Sequence, residues 1–135
     1  MQLPIFRDLY RLNVALLKDV ENIPKIHRHT LGDRIVNAGL SSLHQLQRAY
    51  DAPQPIKRLH EMSNFHTEIE TLSTYLRIAN ESRFIPLKRA TDLFVQIDNI
   101  KKQLTGWKKA TKAKMQYHSV PVIERLRLLN QSRFI

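Results

Sequence analysis

The chain has 135 residues, a formal net charge of +10 and no cysteine. This length suits one domain with a single core, and the lack of cysteine excludes disulfide bonds and thiolate metal sites. No apolar run approaches the ~18 residues of a membrane span, and the first residues lack the pattern of a secretion signal, so we expect a cytoplasmic protein. The excess of basic residues favours a polyanionic partner or a membrane surface over a small neutral ligand.

Apolar residues spaced three and four apart predict four helices in an all-α protein. The first helix runs from about Pro4 to Glu21 and ends before Pro24. Its apolar stripe comprises Ile5, Leu9, Leu12, Leu16 and Val20. The second begins at Thr30, because Thr30 and Asp33 have the spacing of an N-terminal cap followed by a first-turn acid. Its stripe comprises Leu31, Ile35, Ala38, Leu43, Leu46 and Tyr50, and it stops before "DAPQP".

The third predicted helix has the most regular pattern, which is typical of a bundle seam. Its stripe comprises Met62, Phe65, Ile69, Leu72, Leu76 and Ala79. The fourth starts near Pro86, and two further residues, Leu93 and Ile100, widen its stripe. The main stripe of this helix comprises Leu87, Ala90, Phe94, Ile97, Leu104 and Trp107. Short connections between the four helices predict an antiparallel up-down-up-down bundle.

We divide the chain into a bundle domain over residues 1–114 and a tail over 115–135. The tail ends in "LRLLNQSRFI", which matches "LRIANESRFI" at 76–85 in seven of ten positions. Two interpretations stay open at this point. The repeat is a chance resemblance, or the tail forms a short helix from Pro121 to about Asn130 that docks in an apolar groove of a neighbouring protein.

Catalytic and metal-binding patterns are absent from the sequence. His60 and His66 are six residues apart, whereas a zinc-binding helix needs two histidines four apart. No Glu-x-x-His pair suggests a di-iron bundle, and "HRH" at 27–29 has no third ligand nearby in sequence. There is no glycine-rich phosphate loop and no nucleophile elbow. We therefore expect no enzyme activity, no metal and no cofactor.

Lysines are concentrated near the end of the fourth helix. Between Asn99 and Ser119 the sequence has six lysines and no acid. They are Lys101, Lys102, Lys108, Lys109, Lys112 and Lys114. Helical spacing places several on one stripe, which favours contact with a phosphate backbone. The alternative is an ordinary helix end whose lysines complement the helix dipole.

A second basic region is expected at the opposite end of the bundle. There the corner "NIPKIHRHTLGDRI" and the corner between the third and fourth helices would meet. The candidate contacts are Lys25, Arg28, Arg83 and Lys88. The corner also has a plainer interpretation, as a turn with solvated side chains. Gly106 beside Trp107 suggests close backbone approach, so we expect this pair to be buried against another helix or at an interface between protomers.

Three segments carry a resemblance to a known family: "IPKIHRHTLGDRI", "YLRIANESRFI" and "IDNIKKQLTGWKKATK". In order and spacing they resemble the four-helix-bundle proteins typified by the accessory variability determinant of diversity-generating retroelements. The resemblance covers about residues 5–114. Bundle proteins encoded in ribosomal-RNA intervening sequences share the turn, but "GW" at 106–107 is more similar to the retroelement branch.

This resemblance implies an accessory protein without its own catalysis. We expect no membrane partner, because the lysine stripe lacks an exposed apolar face with several aromatic residues. Its relatives are homopentameric barrels with a basic surface that bind the element's reverse transcriptase and template RNA. They thereby enable mutagenic copying of a template repeat into complementary DNA. The competing hypothesis is a stand-alone structural bundle that forms oligomers and has no nucleic-acid role. A reverse-transcriptase gene and paired repeats beside this gene would distinguish the two.

Overall fold

The computed structural model describes residues 3–119 and residue 127. Throughout this part of the chain the ordered elements are helical, and no strand occurs in it. The four long helices are α1 (Pro4–Asp19), α2 (Asp33–Asp51), α3 (Pro55–Glu81) and α4 (Leu87–Ser119). The prediction of an all-α protein built from four helices is therefore confirmed.

The connection between α1 and α2 is more helical than the sequence predicted. A 3₁₀ turn over Val20–Asn22 ends the first helix, a single α-helical turn covers Lys25–His27, and a π-helical segment over Arg28–Gly32 continues into α2. The His27 N–H donates to the Pro24 carbonyl at 2.8 Å, so helical bonding starts directly after the proline. The prediction that Thr30 caps the second helix is wrong, because its hydroxyl lies inside this segment and donates to the His27 carbonyl at 3.1 Å.

Most contacts between neighbouring helices join a residue near the start of one helix to a residue near the end of the other, as in antiparallel neighbours. On α1 and α2, the Phe6 and Tyr50 rings meet edge to face with centroids 5.7 Å apart. Between α2 and α3, Gln45 Nε2 donates to Glu61 Oε2 at 2.6 Å. Helices α3 and α4 are joined by an ion pair between Glu70 and Lys101. The same order holds between α4 and α1, where the contacts are Gln103 to Asp8 and Arg89 to Asp19.

The core follows two of the predicted stripes closely. Every residue predicted to face inward on α1 and α3 is buried, which confirms those seams. On α2 the prediction for Tyr50 is wrong, since this side chain is 44% exposed and Ala49 is buried instead. On α4 the prediction for Leu87 is wrong as well, since it is 71% exposed. The buried seam of α4 comprises Ala90, Leu93, Ile97, Ile100, Leu104 and Thr111.

The wrong predictions for Tyr50 and Leu87 both concern residues at helix ends. A straight helix has ~3.6 residues per turn, so a stripe drawn with regular steps drifts around a long helix and misses the core at its ends. Leu93 and Ile100, which the sequence placed at the margin of the α4 stripe, are fully buried, whereas Phe94 and Trp107 are half-buried at its edge.

Helix α4 is longer than the predicted bundle domain. It continues to Ser119, so the boundary predicted at residue 114 falls inside this helix. The helix predicted over Pro121 to Asn130 lies outside the described residues except for Arg127, which is helical and exposed.

Candidate nucleic-acid interface

The last turns of α4 carry a group of exposed cations that we call the lysine surface. Its members are Lys102, Lys108, Lys109, Lys112 and Lys114. All are exposed except Lys108, which is half-buried. From Lys102 to Lys114 the helix rises by about 18 Å, because each residue advances it by ~1.5 Å. No acid follows Asp98 in the sequence until Glu124, so no carboxylate of α4 lies between these lysines.

Lys101 differs from the other lysines of the predicted stripe. It is half-buried and forms an ion pair with Glu70 of α3. The Lys101 ammonium, which hydrogen-bonds the carboxylate, lowers the pKa of Glu70 and outweighs the effect of burial. Lys101 therefore joins two helices of the bundle and is less available to a phosphate than its neighbours.

Trp107 and Gly106 lie beside the lysine surface in different environments. Trp107 is half-buried, packs against the core and lines a groove of about 170 Å³ with Leu3, Pro4, Ile5 and Gln103. Trp107 thus packs beside the start of α1 within the same chain, and its place at an interface between protomers stays a prediction. Gly106 is exposed, and a Cβ built on it would meet nothing within 4 Å. No helix of the described chain approaches Gly106, so the interface between protomers that was the other expectation for this residue stays a prediction.

At the other end of the bundle, two corners meet through aromatic rings. The His27 imidazole stacks on the Phe84 ring with centroids 4.7 Å apart and planes 20° from parallel. This contact brings the α1–α2 connection beside the α3–α4 connection, as the sequence predicted. Lys25 and Lys88 are exposed there.

The two arginines predicted for this corner have structural roles that the sequence did not reveal. Arg28 Nη2 donates to the Glu21 carbonyl at 3.2 Å, and its Nε donates to the Ile23 carbonyl at 3.4 Å. These bonds satisfy carbonyls at the end of the 3₁₀ turn. Arg83 has a φ of 62° and terminates α3, where the Phe84 N–H donates back to the Ala79 carbonyl at 2.8 Å. A left-handed residue in this position is the usual way to end a helix, but it favours glycine.

The two basic regions lie at opposite ends of the molecule. Arg89, at the corner end, pairs with Asp19 at the end of α1, whereas Trp107 lies beside Leu3 and Ile5 at the start of α1. The 18 residues between Arg89 and Trp107 correspond to about 27 Å of helix. The lysine surface could be predicted from the sequence because its charges lie close together in the chain. The pairing of Asp19 with Arg89 could not be predicted, since 70 residues separate them.

A metal site and a membrane-spanning helix each have requirements that can be compared with the described residues. No group of three or more His, Asp or Glu side chains in this part of the chain is arranged to hold a metal ion. None of the described helices combines the length and the apolar character that spanning a membrane requires.

Comparison with known proteins gives one family. A family model described as bAvd-like matches residues 5–111, which is most of the bundle and nearly the range of the resemblance found in the sequence. This match confirms that resemblance. No curated protein matches the chain.

Proposed function

The chain belongs to the bAvd-like family, and from this premise we propose that it is a non-catalytic, nucleic-acid-binding accessory protein of a diversity-generating retroelement. In this proposal it binds the template RNA, and the complementary DNA made from it, and assists the element's reverse transcriptase during mutagenic copying. It acts in the cytoplasm, where the RNA and the polymerase meet.

The observation that carries the proposal is the lysine surface. Its cations lie on one helix without an acid among them, and all except the half-buried Lys108 are exposed. Such an arrangement suits a phosphate backbone, because each neutralised phosphate releases counterions whatever the base sequence. The helix dipole explains one or two basic residues in the last turn, but this surface extends over more than three turns.

The test is RNA affinity measured over a series of salt concentrations. Changing Lys108, Lys109 and Lys112 together to glutamine should weaken binding to structured RNA strongly. The slope of log affinity against log salt should fall by about 2, since each lost phosphate contact removes ~0.7 to 0.9 from it. Stability should change little because these side chains pack against little of the core.

A matched control removes the same charge elsewhere. Arg11, Lys18 and Arg34 are exposed and lie on α1 and α2. Their glutamine variants should keep most of the salt slope. Equal losses in the two triple variants would mean that net charge alone attracts RNA. If the lysine triple variant keeps both its affinity and its slope, the nucleic-acid role fails and the structural-bundle hypothesis is preferred.

The proposal includes assembly into a homo-oligomeric ring, with five copies as the family resemblance implies. Each copy is taken as an up-down-up-down bundle, which the antiparallel contacts support. Large apolar side chains that stay exposed, among them Ile56, Ile78 and Val95, could be covered in such a ring.

Sedimentation at physiological salt should give an assembly, and Trp107→Ala should weaken it if Gly106 and Trp107 lie at the interface. A monomer at high micromolar concentration would refute the ring.

A further inference from the structure

The outer face of α1 and α2 carries two apolar ridges, which we call the α1–α2 face. On α1 the ridge is Tyr10, Val14 and Leu17, and on α2 it is Val36, Leu40 and Leu43. Each set has the spacing i, i+4, i+7, so each lies along one side of its helix. Tyr10 is 64% exposed, Leu17 52% and Leu40 50%, whereas Val36 and Leu43 are half-buried beside them.

A groove separates the two ridges at one point. It has a volume of about 340 Å³ and is lined by Phe6, Arg7, Tyr10 and Leu43. Two antiparallel helices with an apolar groove between them form the kind of surface that accepts the apolar side of a third helix. Isolated exposed apolar residues are common, but two aligned sets with a groove are not explained by that.

Most of the charge beside these ridges is positive, although the exposed acid Glu21 stands four residues after Leu17, at the end of the α1 ridge. Arg7, Arg11 and Lys18 are exposed on the flank of the α1 ridge. Among the described residues, neither Arg11 nor Lys18 forms an ion pair. The sequence of α2 has no acid between Asp33 and Asp51, which lie at its two ends.

The acids of α1 are turned away from this face. Asp8 accepts hydrogen bonds from Gln103 at 2.7 Å and Asn99 at 3.0 Å, both on α4, and from the Arg7 guanidinium. Asp19 is paired with Arg89 and its side chain is 6% exposed. The α1–α2 face therefore presents apolar ridges flanked by cations, with both carboxylates of α1 engaged on its other side.

We propose that the α1–α2 face binds an amphipathic helix of another protein, whose apolar side fits the groove and whose flank is acidic. RNA is less suited, because Val14, Leu17 and Leu40 offer it neither charge nor hydrogen bonds. The chain's own tail is less suited because it is itself basic, with three arginines and one glutamate over residues 120–135. A second copy of the chain is a competing occupant, which the sedimentation test described below distinguishes from the helix of another protein. The surface is separate from the lysine surface, so this inference stands or falls independently of the proposed function.

The probe is a fluorescein-labelled helical peptide of about five turns, with leucines at spacings of three and four and glutamates on the flank. Its control peptide has lysine at every glutamate position. Fluorescence anisotropy with the full chain should show binding of the acidic peptide at least tenfold tighter than that of the basic one. Equal affinity for the two peptides, or no binding of the acidic one, would overturn the proposal.

Two variants locate the binding. Tyr10→Ser, Val14→Ser and Leu17→Ser together should weaken the acidic peptide about tenfold or more, as loss of an anchoring contact does. The matched control changes Ile26 and Leu87 to serine, which removes exposed apolar side chains at the corner end of the bundle and should leave the peptide affinity unchanged. The variant Arg11→Glu with Lys18→Glu should reverse the preference toward the basic peptide, which a merely destabilised protein would not do.

The competing occupants give distinct results. If the α1 serine variant sediments as a smaller species than the native chain, the face is an interface between copies and the proposal fails. If the same variant loses affinity for RNA while its thermal unfolding is unchanged, the face belongs to the nucleic acid and the proposal fails. The proposal is supported if the α1 serine variant keeps the sedimentation and the RNA affinity of the native chain but loses affinity for the acidic peptide.

Discussion

Gly39 and Gly106 are helical glycines with opposite surroundings, and they give a matched pair of variants. A Cβ on Gly39 would come within 2.5 Å of Asn13 Oδ1 and 2.8 Å of Leu16 Cδ1, so α1 and α2 approach closely there. Gly39→Ala should lower the free energy of unfolding by about 1–3 kcal/mol through overpacking. Gly106→Ala meets nothing and should raise it by about 0.5–1 kcal/mol through helix propensity. Urea unfolding measures both, and an unharmed Gly39→Ala variant would mean that the two helices separate easily.

Arg83 is a second residue whose backbone limits its replacement. Its φ of 62° is easily adopted by glycine and strained for other side chains. Arg83→Gly should therefore stabilise the chain by about 1 kcal/mol relative to Arg83→Ala, which keeps the strain and removes the same charge. Thermal unfolding of both variants checks this. If alanine and glycine have the same stability, the left-handed turn does not persist in solution.

At the scale of elements, the sequence predicted the buried positions best where a single apolar pattern continues over several helical turns. Helix α3 has its apolar residues at every expected position because both of its neighbours pack along the same seam. The π-helical entry to α2 was missed, since Thr30 and Asp33 imitate a cap and only the tertiary contact of His27 with Phe84 shows where the corner lies. The lysine surface needed only local sequence, whereas the α1–α2 face depends on knowing that Asp8 and Asp19 turn inward.

The ion pair between Asp19 and Arg89 joins the end of α1 to the start of α4, at 2.9 and 3.0 Å. Arg89 also donates to Asp92 and is 39% exposed, whereas the Asp19 side chain is 6% exposed. Arg89→Gln leaves a buried carboxylate without its counterion and should cost about 3 kcal/mol. Asp19→Asn should lower the free energy of unfolding by less, because Arg89 still pairs with Asp92 and remains in contact with solvent. Urea unfolding at neutral pH tests the order, and a larger loss for Asp19→Asn would contradict it.

For the whole molecule, stability should depend on carboxylates that the fold holds in their charged form. Burial raises the pKa of Asp8, but hydrogen bonds from Gln103, Arg7 and Asn99 and the charge of Arg7 outweigh it, so the pKa lies below its ordinary value. The Lys101 ammonium lowers the pKa of Glu70. A lowered pKa in the folded state contributes stability above the pKa of the unfolded chain, about 4 for these groups, and this stability is lost as the pH falls through the folded value.

Acidification also raises the positive charge of a chain that is already strongly basic, so a fall in stability alone would not identify these two groups. The difference between the native chain and the Asp8→Asn variant removes most of that general repulsion, because the two proteins differ by one charge in a total of about ten. Asp8→Asn should be less stable at pH 7, and the gap should close as the pH falls below about 4, when the native carboxyl takes up its proton. Urea unfolding at a series of pH values measures the gap. A gap that stays constant from pH 7 to pH 2 would show that Asp8 acts through packing and neutral hydrogen bonds, and that its charge does not fasten α1 to α4.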